Sequence, residues 1–534
     1  MTAAGFYDRI RGQLSYERLF FLIFLVALFL RFYQLDLKLF HHDEAIHAWF
    51  SYRLLTEGVY TYDPMYHGPL LYYTTAGMFS FLGDADLVGR IIPSLLGLLL
   101  IPLLYPIYRL GYLDTKQTLI AALFIAVSPD MVYFSRFLRN DIFIVFFTMV
   151  LLVALLYYFE RRETKYALIA GAAVGLGMSS KENMPIVVVI FGSYLLYLIA
   201  TRRLELPGKW KTDLLLGGLV TVGIMAALYS SFGAHPDVLA DGWLRAIEHW
   251  TAMHQQERLG GPPFMYIILF LLYEVPIFIL AVFGTVQFLG GDGRAARLVQ
   301  SLRRRLGRPE RPELQSLDAV AGTRIIDRQD EFMRFSVYWL VLSLAAYAYI
   351  GEKVPWLILH QLLPLIFVAV YRMTTRKAIV AVALSVFLIT MTWHVAFTPA
   401  DINEPIVQVQ NSEDLRTVMA LIDASDRVAI ASENYWPLPW YYRGNASQKL
   451  QYYGGKIDEG SIYSQNFDMV ITYDQDTYPA LTGYEKTPYK INYWFSYYDN
   501  QDRLAEYYVT RTGKLGSMNF EIFTKPGLAE NAAG

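Results

Sequence analysis

Long apolar stretches recur through most of this 534-residue chain. A helix that crosses the hydrocarbon core of a bilayer needs roughly 20 mainly apolar residues. Only 18% of the residues are charged, whereas a soluble domain has about 25%. The sequence therefore predicts a polytopic α-helical membrane protein. We assign about eleven spans, to residues 16–35, 87–110, 118–133, 142–159, 166–178, 186–200, 214–232, 264–289, 332–350, 354–371 and 378–397.

Basic residues set the orientation of these spans, because cytoplasmic loops carry an excess of Lys and Arg. Three arginines precede the first span, which places the N-terminus in the cytoplasm. With strict alternation, every other strongly basic loop falls on the same side. The residues concerned are Arg9, Arg11 and Arg18 before the first span, then 161–162, 202–203, 209–211, 290–331 and 372–377.

The external side carries several structured segments. Segments 45–56 and 69–81 read as amphipathic helices in the outer interface, rich in aromatic residues. After residue 397 the charge rises and the apolar runs shorten. We therefore divide the chain into a transmembrane domain, 1–397, and a small external α/β domain, 398–534. The latter has predicted strands at 428–432 and 468–473 and a predicted helix at 412–422.

The external domain contains an aromatic run at 435–442. Stacked rings suit a sugar or an acceptor chain, and exposed Trp and Tyr suit docking against the membrane equally well. The chain has no Cys, which excludes disulfides and thiolate metal sites. The first apolar stretch lacks a small-residue cleavage site, so we expect it to be a retained helix.

Two imidazoles and two carboxylates, His41, His42, Asp43 and Glu44, follow the first apolar stretch directly. Ionisable groups this close to lipid cost free energy, so they commonly serve a function. The two acids also suit a helix start, where carboxylates cap free amides and interact favourably with the helix dipole. Both roles stay open for the acids, and His41 and His42 are explained as interface or capping residues. His67, just before a predicted helix start, has the same two explanations.

The other ionisable residues on the outer side come from segments that are far apart in sequence. Phosphate at a membrane surface needs Lys or Arg, and Arg offers two-pronged hydrogen bonding. A carboxylate nearby can accept a proton from an attacking hydroxyl, or hold a divalent ion together with an imidazole. We therefore predict one external cavity suited to displacing a phosphate leaving group. Its candidate residues beyond Asp43 and Glu44 are His67, Arg136, Arg139, Asp141, Lys181, Glu182, Glu352, Lys353 and His360.

Each cation also has a purely structural explanation. Arg136 and Arg139 can anchor at the interface with Asp141 as a partner, and surface pairs of that kind contribute little stability. Lys181 can be a turn lysine, and Lys353 can extend its charged end to the membrane edge. Their common location on the outer side is what favours a shared site.

An acidic pair just after the first span, followed by interfacial helices, resembles the GT-C superfamily of integral membrane glycosyltransferases. Within it, the chain is similar to the protein O-mannosyltransferases and to the bacterial aminoarabinose transferases that modify lipid A. It looks most like the prokaryotic Agl23-type proteins, which are associated with flippase activity. The resemblance covers residues 16–400 and implies a GT-C-like helical fold.

Individual segments match parts of that superfamily. Segment 66–73 resembles the Lys-Pro-Pro-Leu-Tyr segment of the aminoarabinose transferases, with His67 in the place of the lysine. Segment 135–141 looks like the external loop of the O-mannosyltransferases in which an arginine meets the lipid phosphate. Lys181 falls on a lysine with a similar role. Segment 351–364 is similar to the late Lys-rich loop and Leu-Leu-Pro helix.

The resemblance implies transfer of a sugar from a polyprenyl phosphate to an acceptor hydroxyl on the outer face of the membrane. Asp43 falls on the catalytic acidic position and would be the general base of an inverting attack. Glu44 would orient the acceptor or help to hold a metal ion. The growing charge on the leaving phosphate would be offset by Arg136, Arg139, Lys181 and Lys353.

Asp43, His67 and Asp141 are candidate ligands for a divalent metal ion, and we expect no other cofactor. The expected partners are a polyprenyl-phosphate-linked sugar donor, a lipid, glycan or protein acceptor, and membrane lipid. We expect no nucleic-acid partner. The protein is expected in the plasma membrane, with the site and the C-terminal domain outside the cytoplasm.

Three other functions are alternatives to glycosyl transfer. A non-catalytic flippase partner would bind a lipid-linked sugar with the same groups, but transporters often carry inverted repeats and broken helices, which the sequence does not reveal. An oligosaccharyltransferase acting on asparagine would be expected to have a larger external domain. A structural scaffold would not need so many charges near lipid.

Overall fold

The computed structural model describes residues 3–58, 60–255, 261–290 and 327–528. Most of the predicted basic segment 290–331 therefore lies outside the described residues. In the described residues up to 397, the regular structure is helical. The helices are α1 (Ala3–Phe32), α2 (His42–Glu57), α3 (Leu70–Leu82), α4 (Asp86–Gly89), α5 (Ile91–Leu99), α6 (Leu104–Arg109), α7 (Thr115–Val127), α8 (Pro129–Ser135), α9 (Asp141–Arg161), α10 (Thr164–Met178), α11 (Met184–Ala200), α12 (Trp210–Tyr229), α13 (Val238–Gln255), α14 (Met265–Tyr273), α15 (Val275–Gly290), α16 (Arg328–Tyr349), α17 (Leu359–Ala369) and α18 (Thr375–Phe397).

Each predicted span coincides with one of these helices or with consecutive short ones. In the described ranges, five spans are long and apolar enough to cross a membrane, and two bent helix pairs raise the number to seven. Helices α10, α11 and α17 are apolar but shorter. The predicted helical membrane fold is confirmed, and the total of eleven spans stays a prediction.

Two of the predicted spans are broken, which the sequence analysis missed. Helices α7 and α8 meet at 56°, and α14 and α15 meet at 113°. Pro129 begins α8, and Pro276 stands at the second position of α15. A proline lacks the amide that would continue the preceding helix, and it disfavours helical geometry in the residue before it. The apolar run continues through both breaks and so conceals them.

The basic loops of the described part meet at one end of the helical bundle. Arg328 donates to Glu160 at 2.7 Å, and Arg162 lies 3.6 Å from Glu205. Helix α9, with 21 residues, leads from this end to Asp141, a distance of about 31 Å at 1.5 Å per residue. The basic loops and the acidic candidate residues therefore lie at opposite ends, as the alternation of spans predicts.

The C-terminal domain is a six-stranded mixed sheet with short helices. The strand order is β1-β5-β6-β4-β2-β3, with β2 parallel to both β3 and β4, and the other pairs antiparallel. Strand β2 is buried along its whole length. Two predicted strands and one predicted helix appear as β2, β4 and α19, which confirms the small α/β domain. The elements are β1 (Gln410–Asn411), α19 (Asp414–Asp423), β2 (Val428–Ala431), α20 (Leu438–Tyr441), β3 (Leu450–Tyr452), α21 (Glu459–Gln465), β4 (Met469–Tyr473), β5 (Glu485–Phe495), α22 (Tyr497–Asn500), α23 (Leu504–Thr510) and β6 (Leu515–Thr524).

This domain is docked on the segment that precedes α2. The Trp440 indole N–H and the Tyr441 hydroxyl donate to the two carboxylate oxygens of Asp86, at 2.7 and 2.8 Å. The amide of Phe40 donates to the Tyr441 hydroxyl at 2.9 Å. Trp440 is fully buried between the rings of Phe40 and Phe79. These members of the aromatic run 435–442 therefore hold the two domains together.

A buried carboxylate forms a second connection between the domains. Glu404 accepts hydrogen bonds from Tyr273 at the end of α14 and from Tyr507 of α23, at 2.7 and 2.9 Å. Arg511 donates to the same oxygen at 3.2 Å, and His394 of α18 lies 3.0 Å from the other. Because this carboxylate is fully buried, its four partners are what offset the cost of its desolvation.

Candidate functional site

Helix α2 begins with a reciprocal cap made by residues of the charged cluster. The amide of Asp43 donates to Nδ1 of His41 at 3.0 Å, and the amide of His41 donates to Glu44 at 2.9 Å. Side chains that exchange bonds with backbone amides in this way fix the first turn of a helix. Nε2 of His41 donates to the Gln408 carbonyl of the C-terminal domain. The capping explanation is thus correct for His41, whose pKa is lowered to about 4 because it is buried.

Glu44 is a buried structural residue. Its side chain is 1% exposed, and Arg90 donates to both carboxylate oxygens at 2.8 and 2.6 Å. The amide of Leu138 donates to the same carboxylate at 2.8 Å. Arg90, which the sequence analysis did not single out, also donates to the carbonyls of Leu35 and Lys38. Glu44 therefore joins three segments and has no place in the function proposed below.

The Asp43 carboxylate has different surroundings from that of Glu44 and is 30% exposed. It forms an ion pair with Arg139, whose Nε lies 3.5 Å from the carboxylate of Asp141. The Arg139 guanidinium also stacks on Trp356, 3.7 Å from the ring centre. Burial alone would raise the pKa of Asp43, but Arg139 and the nearby imidazoles outweigh it and hold the pKa well below its usual range.

Asp141, at the start of α9, extends this chain of charges inward. The ammonium of Lys181 donates to both of its oxygens, at 2.9 and 3.0 Å. His360 lies 3.3 Å from one of those oxygens and stacks on Tyr347. The Asp141 side chain is 2% exposed. The structure thus brings four of the predicted site residues, Asp43, Arg139, Asp141 and Lys181, into one row of alternating charge.

A residue that the sequence analysis missed, His47, completes this side of the site. The hydroxyl of Tyr72 donates to the Tyr66 carbonyl at 2.6 Å, so it accepts the 2.8 Å bond from Nδ1 of His47. This leaves Nε2 without a proton when the ring is neutral. Burial is the main cause that lowers the pKa of His47 well below its ordinary value, and Arg139 adds to it. Spacing gave the signal: residues four apart on a helix share a face, and His47 follows Asp43 by four.

His67 and Glu182 form a neighbouring pair. Nδ1 of His67 lies 3.0 Å from a carboxylate oxygen of Glu182. The His67 ring is nearly parallel to that of Trp250 on α13, with 5.6 Å between centres and 5° between planes. The ring centre of His47 lies 6.5 Å from the ring centre of His67. His67 therefore links α13 to the face of α2 that carries Asp43.

Arg136 and Lys353 cap helix ends. Arg136 donates to the carbonyls of Tyr33 and Gln34 at 2.7 and 2.6 Å, just beyond the end of α1. Lys353 donates to the carbonyl of Tyr347 at 3.0 Å and to others at the end of α16. Basic groups suit helix C-termini, where carbonyls lack helical partners. The structure therefore does not bring these two residues into the row of charges.

The candidate metal ligands Asp43, His67 and Asp141 do not fit a metal ion. Within the described ranges, no three His, Asp or Glu side chains come together in a way that could hold one. Both carboxylates already have cationic partners, Arg139 and Lys181, and His67 bonds to Glu182 instead.

A large apolar cavity opens beside Lys181. Its volume is about 770 Å³, and it lies among α10, α11, α12, α13 and the loop after α16. We call the part of its lining formed by Lys181, Glu182 and Asn183 its polar end, and Glu352 also lines the cavity. A cavity with apolar walls and a few polar groups at one end suits a long apolar chain with a charged head. Apolar lining residues include Met178, Ile186, Val222, Met225, Leu239 and Ile247.

Comparison with known proteins supports the predicted family resemblance. Residues 66–228 match the sequence model of a family described as dolichyl-phosphate-mannose-protein mannosyltransferase. No curated protein matches the chain. The structure of ArnT from Cupriavidus metallidurans bound to undecaprenyl phosphate is similar, with a TM-score of 0.54 at 14% identity, over 89% of this chain and 94% of that one.

Two further structures match less well. The Pmt1-Pmt2 protein O-mannosyltransferase of S. cerevisiae, bound to its sugar donor, has a TM-score of 0.35 at 20% identity, over 43% of this chain. This chain spans 34% of that yeast chain. The oligosaccharyltransferase of Archaeoglobus fulgidus has a TM-score of 0.48 at 13% identity, over 86% of this chain and 69% of that one. The fold of this chain is thus similar to that of ArnT, a GT-C-like helical membrane fold, here with a C-terminal sheet domain.

Proposed function

We propose that this GT-C protein is a glycosyltransferase that moves a sugar from a polyprenyl phosphate to an acceptor hydroxyl. The reaction takes place on the outer face of the plasma membrane, and the anomeric carbon is inverted. Asp43 is the general base that takes the proton of the acceptor. Arg139 and Lys181 bind the donor phosphate and stabilise its charge as it leaves.

The observation that carries this proposal is the difference in exposure along the row of charges. Asp43 is 30% exposed, whereas Asp141 is 2% exposed. An acceptor can therefore reach the first carboxylate but not the second. A general base must come within hydrogen-bond distance of the proton that it removes. Asp43 satisfies that condition, and Asp141 instead serves to hold Arg139 and Lys181.

The ion pair between Asp43 and Arg139 also suggests how the base is activated. While Arg139 binds Asp43, the pKa of that carboxylate is too low for it to be an effective base. A donor phosphate would compete for the same guanidinium, because Arg binds phosphate with two parallel hydrogen bonds. Release of Arg139 would raise the pKa of Asp43 only when a donor is present. Donor binding thus prepares the base for the acceptor.

The cavity accounts for the lipid part of the donor. Its apolar walls lead to Lys181, whose ammonium lies in the row of charges that includes Arg139. A polyprenyl chain in the cavity would bury apolar surface at about 25 cal/mol per Å². Its phosphate would then lie at the polar end, close to both cations. Charge that develops on the leaving phosphate would be stabilised there by groups already in place.

Mass spectrometry of the lipids that co-purify with the protein tests this function. We expect a polyprenyl-phosphate monosaccharide on Asp43→Asn, because the variant binds the donor and cannot transfer the sugar. Wild-type protein should carry mainly polyprenyl phosphate. Asp476→Asn, which changes an exposed aspartate of the C-terminal domain, is the matched control and should resemble wild type.

The same experiment separates the enzyme from a non-catalytic binding protein. If wild type and Asp43→Asn carry the same sugar-bearing lipid in the same amount, the chain binds lipid-linked sugar without transferring it. Transfer by purified Asp43→Asn at the wild-type rate would exclude Asp43 as the base.

A further inference from the structure

Two buried polar atoms of residues that line the cavity have no hydrogen-bond partner within the described part of the chain. They are the second carboxylate oxygen, Oε1, of Glu182 and the indole nitrogen, Nε1, of Trp250. Both residues line the cavity. A buried polar group without a partner costs free energy, and native proteins have few of them. One acceptor and one donor thus lie unused in the same wall.

His67 holds these two residues in place. Its Nδ1 donates to the other oxygen of Glu182 at 3.0 Å, and its ring stacks against Trp250. Burial would raise the pKa of Glu182, but the charge and hydrogen bond of His67 outweigh it and keep the pKa below its usual value. Glu182 therefore presents an ionised oxygen that accepts hydrogen bonds. Trp250 presents an N–H and a flat apolar face.

An ionised acceptor, an N–H donor and an aromatic face match the chemistry of a sugar ring. Each sugar hydroxyl both donates and accepts hydrogen bonds, and the C–H groups of the ring are apolar. A lipid tail would satisfy neither unpaired atom, because it has no polar groups. A phosphate would be repelled by the carboxylate of Glu182.

We propose that Glu182, His67 and Trp250 form a subsite that recognises the hydroxyl groups of the donor sugar. One hydroxyl donates to Oε1 of Glu182, and another accepts from Nε1 of Trp250. The inference rests on the proposed function and extends it, because it assigns the donor to sugars with free ring hydroxyls.

The position of this subsite agrees with the rest of the site. Glu182 is next in sequence to Lys181, which binds Asp141 in the row of charges. His67 lies 6.5 Å from His47, on the helix face that carries Asp43. The sugar would thus lie between the cations that bind its phosphate and the base that activates the acceptor.

Donor titrations on the full-length protein in nanodiscs test the subsite. The probes are undecaprenyl phosphate and undecaprenyl phosphates that carry glucose, mannose or galactose. We expect wild type to bind at least one of the three sugar-bearing lipids about tenfold or more tightly than undecaprenyl phosphate, which corresponds to about 1.4 kcal/mol. Glu182→Gln and Trp250→Phe should reduce this preference to less than threefold. Trp250→Phe should leave binding of undecaprenyl phosphate within twofold, and Glu182→Gln, which removes a charge that repels phosphate, should not weaken that binding.

Glu248→Gln is the matched control, because Glu248 is exposed on the same helix as Trp250; it should keep the wild-type preference. Trp250→Phe retains an aromatic ring and removes only the N–H donor, so it tests the hydrogen bond with little risk to folding. A wild type without preference for any of the three sugars overturns the subsite. An unchanged preference in Glu182→Gln and Trp250→Phe also overturns the subsite. In both cases the proposed function stands. A wild type that binds none of the four lipids overturns the proposed function itself.

Discussion

The carboxylates of Asp43 and Glu44 have different partners at the start of α2, although the two residues are adjacent in the chain. Glu44 is buried against Arg90, and Asp43 is partly exposed beside Arg139. Consecutive residues on a helix are about 100° apart around its axis, because one turn contains 3.6 residues. One acid can therefore serve the fold while its neighbour serves the chemistry.

Glu44→Gln should destabilise the protein far more than Asp43→Asn. Removal of the Glu44 charge leaves Arg90 buried without its partner, which typically costs about 3–5 kcal/mol. Asp43 is partly exposed, and Arg139 keeps Asp141 as a neighbour, so loss of the Asp43 charge should cost less than loss of the Glu44 charge. Thermal unfolding of the two purified variants measures the difference. Equal melting temperatures would show that Glu44 is not the structural member of the pair.

Two lysines at the same end of the bundle should respond differently to substitution. Lys181→Ala should weaken donor binding about 10- to 100-fold, since a hydrogen bond to a charged group contributes about 1.5–3 kcal/mol. Lys353→Met should lower the free energy of unfolding by about 1–3 kcal/mol and leave donor affinity within twofold. Donor titration and thermal unfolding of both variants are the measurements. A donor affinity that falls equally in both would return Lys353 to the phosphate site.

The free energy of unfolding should fall in acid, because the folded protein holds His41 in its neutral form. Its pKa in the folded chain is about 4, against an ordinary value of 6.5, so the unfolded chain takes up the proton first as the pH falls. The stabilisation is complete above pH 6.5 and is lost as the pH falls from 6.5 to 4, by at most about 3 kcal/mol. A proton on Nδ1 also removes the acceptor of the Asp43 amide. His41→Asn keeps a capping oxygen and should show a flatter pH profile of melting temperature; a profile that overlays wild type would contradict this.

Trp440→Leu should loosen the C-terminal domain from the segment before α2. The change removes the hydrogen bond to Asp86 and the ring contacts with Phe40 and Phe79. We expect faster amide hydrogen exchange in residues 37–44 and unchanged donor binding. The rate of sugar transfer should fall by a factor of up to about ten. Tyr498→Leu, at an exposed tyrosine of the same domain, is the control. Unchanged exchange in that segment would show that the contact does not position it.

Local patterns in the sequence were sufficient to predict the helical fold, because the apolar residues of a single segment identify a membrane span. The partners of the charged residues could not be identified from a single segment. Arg136 and Arg139 belong to one short motif, yet one caps α1 and the other binds Asp43. Each partner lies about a hundred positions away in the chain. Arg90 was overlooked for a similar reason, since it lies inside a predicted span and its role depends on Glu44.

The contact between Phe40 and Tyr441 joins positions 401 residues apart. During synthesis, the helices enter the membrane long before Tyr441 leaves the ribosome. The segment that leads to Asp43 can complete its contacts only after the last domain has been synthesised and folded. A nascent or truncated chain would therefore be inactive, and the proposed enzyme would not consume lipid-linked sugar before its own biogenesis is complete.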